Sequence, residues 1–574
     1  MYDLVIRGGT VIDGTGSNRF VADVAVNDGV VAKIGTIVES GKEEIDASGK
    51  LVTPGWVDIH THYDGQATWD PLLAPSSWHG VTTVVMGNCG VGFAPCKPKD
   101  RQFLIELMEG VEDIPGAALS EGIDWQWESF PEYLDALETM PRAIDIAAQV
   151  PHGAVRAYVM GDRCSSDYQP TAAEIAEMAA LVREGVEAGA VGFSSSKTLL
   201  HKDIHGAYMP GTFSDGDEML GLGLGMKGLN NAVFELVSDH LGEEAEWDWV
   251  KAFQRETGLP VTVVATTAPA YTSGMMLHNA QLAQEQGLAI RPQAAGRPTG
   301  ILHGLQSSFH AFVGHPTWAG QLKDLDHDTL VATMQQPAIK AQLLSEQSLI
   351  TTGPMSNLRE LMALVFPLGE IPNYEPDYED SIGGMALAQD RDPMELMYDL
   401  LVANDGKELF YQPLGAYTEY DLEAQKALIE HPNVLIGLSD GGAHCGVIAD
   451  AGMPSFIMIH WGRDRTKGDK MRLETIVQSM TWDTASAYGM FDRGLLQPGK
   501  IADINIIDFE AMRLYRPEAI FDLPAGGRRL VQRVEGYDVT IKSGQVVFRG
   551  GEHTGALPGV LVRRSDAKAP AVAA

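Results

Sequence analysis

Basic residues, cysteines and long apolar runs are scarce in this sequence of 574 residues. The 42 Lys and Arg residues face 77 Asp and Glu residues, and the net charge of −35 disfavours nucleic acid and anionic membranes as partners. Four cysteines are too few for a disulfide framework. The sequence has no apolar run of about 18 residues and no basic leader after Met1. We therefore expect a cytoplasmic protein that binds neither nucleic acid nor membranes.

The stretch from Pro54 to His62 carries the strongest chemical signal. An apolar run of β-forming residues follows a Pro-Gly breaker and ends in His60-Thr61-His62. The period of two in a strand places His60 and His62 on the same side. Neutral imidazole is a ligand for zinc, so a pair with this spacing at a strand end can share one ion. The alternative is a chance pair on a surface turn.

This stretch resembles the first barrel strand of the amidohydrolase superfamily, and more narrowly that of its D-aminoacylase (N-acyl-D-amino-acid deacylase) branch. The resemblance covers nearly the whole chain, is strong at both ends and is weak between about residues 197 and 430. It is carried by residues 3–9, 55–64, 80–90 and 437–441.

The pattern of the chain predicts an α/β fold. Between residues 54 and 488 strands alternate with helices, which is typical of a parallel sheet closed by crossovers, and the resemblance implies a (β/α)8 TIM-like barrel. An insertion is expected at about residues 300–430. The short strands of residues 1–53 and 489–574 are too few to bury a face separately, so we expect them to form one β-sandwich domain together. The predicted barrel strands after the first are residues 82–86, 144–150, 190–194, 232–237, 261–265, 288–293 and 434–438.

Cys89 and Asp440 follow the second and eighth predicted strands, where a barrel places its catalytic groups. A cysteine thiolate binds zinc well, although most free cysteines are simply buried apolar residues. The resemblance implies that Cys89 is the metal-binding cysteine. A carboxylate at Asp440 can take a proton from the attacking water and deliver it to a leaving amine, whereas Asp-Gly alone indicates a turn. We expect zinc, as one or two ions, or another divalent metal, held by His60, His62, Cys89 and Asp440.

The sequence departs from the D-aminoacylase pattern at strands five and six. That branch carries metal-binding histidines there, but the matching positions lie near Val237 and Ala265. Asp239 or His240 can stand in if strand five runs longer. The centre is then either mononuclear or completed by groups that the pattern does not identify.

Four further residues are predicted to contact the substrate. Lys197 follows strand four and Arg297 follows strand seven, and both can pair with a carboxylate. His152 and His201 lie on predicted loops after strands three and four, where a lone histidine is more often solvated.

The sequence therefore predicts a metal-dependent enzyme that hydrolyses a linear amide, such as an N-acyl-D-amino acid or a similar N-acylated small molecule. Two alternatives stay open. One is a cyclic amidase of the hydantoinase or dihydroorotase kind, which depends on Lys197 as the family's carbamylated lysine. The other is a metal-free barrel that acts as a binding protein. We expect a small-molecule substrate and leave open whether the chain forms a homo-oligomer.

Overall fold

Strands from both chain ends form one mixed sheet in the computed structural model, which describes residues 1–165, 168–265, 270–351, 356–415 and 417–566. Leu51–Pro54 pairs antiparallel with Ile504–Ile507 and so joins the two ends. The predicted union of the chain ends is confirmed, while the domain boundaries stay a prediction. The other strands of this sheet are Tyr2–Val11, Phe20–Asn27, Val30–Gly35, Gly41–Asp46, Tyr537–Lys542, Gln545–Arg549 and Glu552–His553.

A second sheet forms the predicted barrel. Its strands pair in chain order, each parallel to the next, as a (β/α)8 fold requires. The barrel strands are β1 (Trp56–Asp58), β2 (Val81–Met86), β3 (Asp145–Pro151), β4 (Gly192–Lys197), β5 (Val233–Ser238), β6 (Val261–Ala265), β7 (Ile290–Ala294) and β8 (Leu435–Ile436). The α/β barrel fold predicted from the sequence is confirmed.

The barrel closes beyond the ends of β1 and β8. A parallel bridge joins Thr61 to Gly441. The amide of His62 donates to the carbonyl of Gly441 at 2.8 Å, and the amide of Asp440 donates to the carbonyl of His60 at 3.2 Å. These bonds bring the segments that follow the first and last strands together at the carboxyl-terminal face.

Helices cover the outside of the barrel and fill the insertion. Thr171 caps the helix Ala172–Ala188 with Glu174 in the predicted capping box. No helix of the described residues has the length and apolar character needed to cross a membrane. The α-helices are Arg101–Glu112, Gly116–Gly122, Phe130–Glu138, His152–Met160, Ala172–Ala188, Gly216–Leu224, Glu244–Thr257, Ala270–Glu285, His327–Met334, Pro337–Ser345, Leu358–Leu361, Ile382–Ala388, Pro393–Leu401, Glu423–Ile429, Met453–Phe456, Leu473–Met480 and Trp482–Ala487.

The insertion between β7 and β8 has an apolar core of its own, which includes Phe312, Met397 and Leu401. Gly300–His303 and Phe366–Pro367 both pair antiparallel with Phe410–Pro413 in a small sheet. Two further pairs of short strands follow the barrel: Arg513–Leu514 with Val534–Glu535, and Glu518–Leu523 with Gly527–Val531.

A buried ionic network ties the amino-terminal end of the barrel to the carboxyl-terminal strands. Arg493 forms an ion pair with Asp145, at the start of β3, and donates to Thr83 Oγ1 at 3.1 Å. Lys542 Nζ lies 3.0 Å from Asp145 Oδ2 and 2.8 Å from Asp503 Oδ1. Two cations thus balance two carboxylates in a region without solvent.

Replacing Arg493 with Met is expected to lower the free energy of unfolding by about 3–5 kcal/mol, because it leaves one buried carboxylate without a counter-charge. Urea denaturation measures the change. The exposed pair of Arg533 with Glu518, at 2.9 Å, supplies the matched control, since Arg533→Met should cost no more than about 1 kcal/mol. Equal losses in the two variants would contradict a structural role for the buried network.

Candidate metal centre

His60, His62 and Cys89 converge at the carboxyl-terminal face of the barrel. Both histidines follow the end of β1, and Cys89 follows β2. Nε2 of His60 is 3.3 Å from Sγ of Cys89. One ligand atom from each of the three residues lies within 4.8 Å of the others, and all three side chains are buried. A single ion can contact all three atoms at such spacing.

Asp440 lies beside both histidines. Its Oδ1 is 3.6 Å from Nε2 of His60 and 3.9 Å from Nε2 of His62. The residue has a φ of +50°, which is unusual for a residue other than glycine. The hydrogen bond from its amide to the carbonyl of His60 supports this conformation. Its side chain is 13% exposed, whereas those of the histidines are 1% exposed. Asp440 therefore faces the cluster and keeps contact with solvent.

Gln293 fixes the orientation of His60. Its amide nitrogen donates to Thr262 Oγ1 at 2.9 Å and to the Tyr488 hydroxyl at 3.0 Å, so its oxygen is left to face the imidazole. That oxygen accepts from Nδ1 of His60 at 3.0 Å. Nε2 of His60 is consequently the unprotonated nitrogen, directed towards Cys89 and Asp440.

Glu112 lies between His62 and one further imidazole, that of His444. Its Oε1 is 3.3 Å from Nδ1 of His62, although the two atoms lack the alignment of a hydrogen bond, and its Oε2 is 3.5 Å from Nε2 of His444. The carboxylate is 2% exposed and comes from the last residue of the helix Arg101–Glu112. One buried carboxylate therefore lies within 3.5 Å of both His62 and His444.

The backbone at Cys89 is held from three directions. Cys89 has a φ of +54°, a conformation that needs support in a residue other than glycine. Its amide donates to Oε2 of Glu235 on β5 at 3.0 Å. On one side Asn88 donates to the carbonyls of Thr61 and Val85, and on the other Gly90 donates to Ser194 Oγ. The thiol is placed by this loop and not by its own contacts alone.

Burial dominates the electrostatics of the centre. It raises the pKa of Asp440 to about 8, with Asp450 and Asp58 adding to the effect, and raises that of Glu235 to about 8. Burial likewise raises the pKa of the Cys89 thiol and lowers that of His60 to about 4. Each shift favours the uncharged form of its group. A dication at this position would reverse the preference of the thiol and the carboxyl groups, because it stabilises thiolate and carboxylate, and it would reinforce the preference of the imidazoles for their neutral form.

The donor set fits a borderline metal ion. Imidazole nitrogens, a thiol and carboxylates are the groups that zinc binds in proteins. Within the described chain, Nδ1 of His62, Oε1 of Glu112 and Oε1 of Glu235 are buried polar atoms without a hydrogen bond. His60, His62, Cys89 and Asp440 could therefore hold an ion, and Gln293 and Glu112 could orient the two histidines.

The two predicted cations already have carboxylate partners. Lys197 Nζ lies 2.6 Å from Oε2 of Glu246, and both side chains are buried. Arg297 Nη2 lies 2.8 Å from Oδ1 of Asp450, and its guanidinium sits 4.1 Å from the ring centroid of Tyr374. Contact of either cation with substrate stays a prediction.

The two predicted histidines differ in placement. His152 begins a helix instead of lying on a loop, is fully buried, and contacts Ser195 Oγ at 2.8 Å and Glu218 Oε1 at 3.2 Å. His201 contacts Ser196 Oγ at 2.9 Å. Burial lowers the pKa of His201 to about 3, and the charges of His444 and His60 lower it further.

The strand-five substitutes lie away from the cluster. His240 is 41% exposed and pairs with Glu243 at 2.8 Å, while Asp239 accepts from the amide of Leu199 at 2.8 Å. β5 ends at Ser238 just after Val237, and β6 ends at Ala265, the last residue described before the gap at residues 266–269.

Three residues around the centre were not predicted from the sequence: Glu112, Glu235 and His444. Glu235 leaves a signal, since a carboxylate stands within the otherwise apolar run of strand five. His444 follows Asp440 by four residues in a glycine-rich turn. Glu112 ends an amphipathic helix, where a glutamate is ordinary, and no local pattern distinguishes it.

Comparisons with known proteins identify the family of this chain. The profile of the Amidohydrolase family matches residues 43–548. The N-acyl-D-aspartate deacylase of Alcaligenes xylosoxydans xylosoxydans is 26% identical over 98% of this chain and 96% of its own. A solved D-aminoacylase with a binuclear metal centre superposes with a TM-score of 0.64 at 23% identity, covering 98% of this chain and 100% of that one. The zinc complex of N-acyl-D-glutamate deacylase from Bordetella bronchiseptica gives 0.62 at 25% identity with the same coverage. This chain belongs to the amidohydrolase family and is a hydrolase of carbon–nitrogen bonds other than peptide bonds.

Proposed function

We propose that this protein hydrolyses N-acyl-D-amino acids, or closely similar N-acylated small molecules, at a zinc centre of one or two ions. The observation that carries the proposal is the convergence of His60, His62 and Cys89, with Asp440 against them, at the face where barrel enzymes place their chemistry. The similarity to deacylases of N-acyl-D-amino acids supports the substrate class.

Asp440 is the proposed general base and acid. A zinc ion at this position would lower the pKa of the attacking water and polarise the scissile carbonyl. Oδ1 of Asp440 takes the proton of that water and passes it to the leaving nitrogen, which departs as a neutral amine. Its partial exposure lets water reach the carboxylate, while the buried histidines stay neutral and hold their lone pairs towards the centre.

His201 is the best placed of the four predicted substrate contacts, because it is the one that forms no ion pair with a carboxylate among the described residues. Its Nδ1 contacts Ser196 Oγ at 2.9 Å. Lys197, Arg297 and His152 remain proposed contacts, but each must exchange an internal carboxylate partner before it can bind a substrate carboxylate.

The ion pair of Lys197 with Glu246 weakens the cyclic amidase alternative, which depends on a carbamylated Lys197. A carbamate on this lysine would place an anion where Nζ now lies, 2.6 Å from a Glu246 oxygen, and the repulsion of two buried anions opposes it. The metal-free alternative has to explain why three buried ligand groups converge beside the partly exposed Asp440 without a function, since unpaired buried polar groups are costly.

A panel of N-acetyl-D- and N-acetyl-L-amino acids, assayed with the zinc-loaded protein, tests the proposal. We expect release of free amino acid from D-enantiomers, and we expect dialysis against a chelator to remove the activity and added zinc to restore it, since the carbonyl and the water both depend on the ion.

Hydantoin and dihydropyrimidine substrates are included as controls for the cyclic amidase alternative and should not be turned over. A protein that binds zinc but releases no D-amino acid from any member of the panel would contradict the proposed substrate class.

A further inference from the structure

Glu235 is a carboxylate inside the barrel whose partners are incomplete. It lies on β5, in register with Ser194 of β4 and Thr262 of β6, and its side chain is fully buried. Oε2 accepts from the amide of Cys89 at 3.0 Å. Oε1 is buried and has no hydrogen-bond partner among the described residues. One of its two oxygens is thus available to bind an ion at the centre.

The described chain provides no cation for Glu235. None of its ion pairs involves this carboxylate, and Lys197, at the end of the adjacent strand, is paired with Glu246. The residues outside the described ranges contain one basic residue, Lys568. A charged carboxylate buried without a counter-charge costs several kcal/mol, so such a group either stays protonated or is paired with a cation, and a bound metal ion is one such cation.

We propose that Glu235 is a ligand of the metal centre, in a second position that shares Cys89 with the first. It would take the part that the resemblance assigns to the strand-five histidine, which is missing near Val237. Glu235 lies outside the cluster of His60, His62 and Cys89, whose ligand atoms are mutually within 4.8 Å, so it adds a position and does not complete the first.

The carboxylate of Glu235 and the thiol of Cys89 are chemically suited to a second metal position that shares Cys89 with the first. Carboxylate oxygen and cysteine thiolate are both zinc ligands, and a thiolate has lone pairs for two ions. The hydrogen bond from the Cys89 amide orients Glu235 through Oε2 and leaves Oε1 for coordination. The inference rests on the metal centre of the proposed function but not on its substrate.

The variant Glu235→Gln distinguishes two roles of Glu235: that of a metal ligand and that of a hydrogen-bond acceptor for the Cys89 amide. The amide oxygen of glutamine still accepts from the Cys89 amide, so the loop keeps its hydrogen bond, while the negative charge and the free carboxylate oxygen are lost. Glu246→Gln is the matched control, because Glu246 is also buried and lies beside the barrel, but its partners are Lys197, Ser238 and Trp249.

The experiment strips each protein with a chelator and titrates it with zinc against a chromophoric competitor. For the wild type we expect two equivalents. In Glu235→Gln we expect the second equivalent to weaken by more than about 100-fold, beyond the 10–100-fold that loss of a residue outside the coordination shell costs. Glu246→Gln should keep both equivalents. Circular dichroism checks that each variant is folded.

Cobalt provides a second readout. The absorption of the Cys89 thiolate–cobalt bond should change when the wild type takes its second equivalent, and this change should be absent in Glu235→Gln. In the stripped form, Glu235→Gln should unfold at a temperature no lower than that of the wild type, since it removes a buried carboxylate that has no counter-charge.

A wild type that takes up a single equivalent, or a Glu235→Gln variant with unchanged zinc affinity, would overturn the inference. Either outcome would leave the first position and the role of Asp440 intact. Conversely, failure of the D-amino-acid panel would remove the proposed substrate and leave the zinc count readable, because the titration needs no turnover.

Discussion

Asp440→Asn is expected to lower kcat for amide hydrolysis by at least about 10³-fold, within the range that general acid–base catalysis contributes. Asparagine fills the same volume and adopts the same left-handed backbone, but its amide cannot accept the proton of the attacking water or return it to the leaving nitrogen. His60, His62 and Cys89 remain, so the variant should still bind zinc. Steady-state kinetics and metal analysis of the same preparation measure both effects.

His60→Ala should lose activity by a different route, because it removes one of the clustered ligand atoms and is expected to lower the zinc content as well. Asp28→Asn is the matched control for Asp440→Asn. Asp28 also has a positive φ, +51°, but it lies in an exposed turn between two strands of the sheet that the chain ends form. Full activity in Asp440→Asn or in His60→Ala would exclude the proposed mechanism.

The positions of the four proposed ligands could be predicted because each follows a barrel strand at once. Strand ends at the carboxyl-terminal face of a barrel lie close together whatever the loops do, so a motif on β1 and a residue after β2 or β8 must meet there. The closing bonds between His60, His62 and the segment at Asp440 show this directly. For these residues, a place directly after a barrel strand in the sequence is enough to predict a place at the carboxyl-terminal face of the barrel.

The partners of the buried charges could not be predicted in this way. Lys197 and Arg297 look available in the sequence because Glu246 and Asp450, which pair with them, lie on segments distant along the chain. Glu112 reaches the centre only because the helix Arg101–Glu112 ends beside His62. Such pairings depend on loop and helix placement, for which the sequence has no periodic pattern.

Removing the metal is expected to make the stability of the protein fall as the pH rises from about 6.5 to about 8. In the metal-free protein burial raises the pKa of Asp440 and of Glu235 to about 8, against ordinary values of 3.8 and 4.5. Between these limits the folded state binds protons that the unfolded state does not, so stability is full at low pH and is lost as the pH passes through the folded pKa.

The histidines act in the opposite sense but at lower pH. Burial lowers the pKa of His60 and of His444 to about 4, from an ordinary value of 6.5. Their contribution therefore rises with pH up to about 6.5 and is constant above it. The window from about 6.5 to about 8 isolates the carboxylates, and Asp64, whose pKa burial raises to about 7, acts in the same direction.

Urea denaturation at the two ends of this window, with chelator and with zinc, measures the effect. For the stripped protein we expect a loss on the order of 2–3 kcal/mol, since one pKa unit corresponds to about 1.4 kcal/mol for each group and coupling between the carboxylates reduces the sum. With zinc the loss should be much smaller, because the ion holds Asp440 and Glu235 in their charged form at both pH values and leaves only carboxylates outside the coordination shell, such as Asp64, to titrate. The double variant Asp440→Asn with Glu235→Gln should show a smaller pH dependence in the stripped form, with the part that remains coming from Asp64 and Glu112, whose pKa values burial also raises. Stripped wild-type protein whose stability stays level or rises across the window would mean that these buried carboxylates are not the groups that the metal compensates.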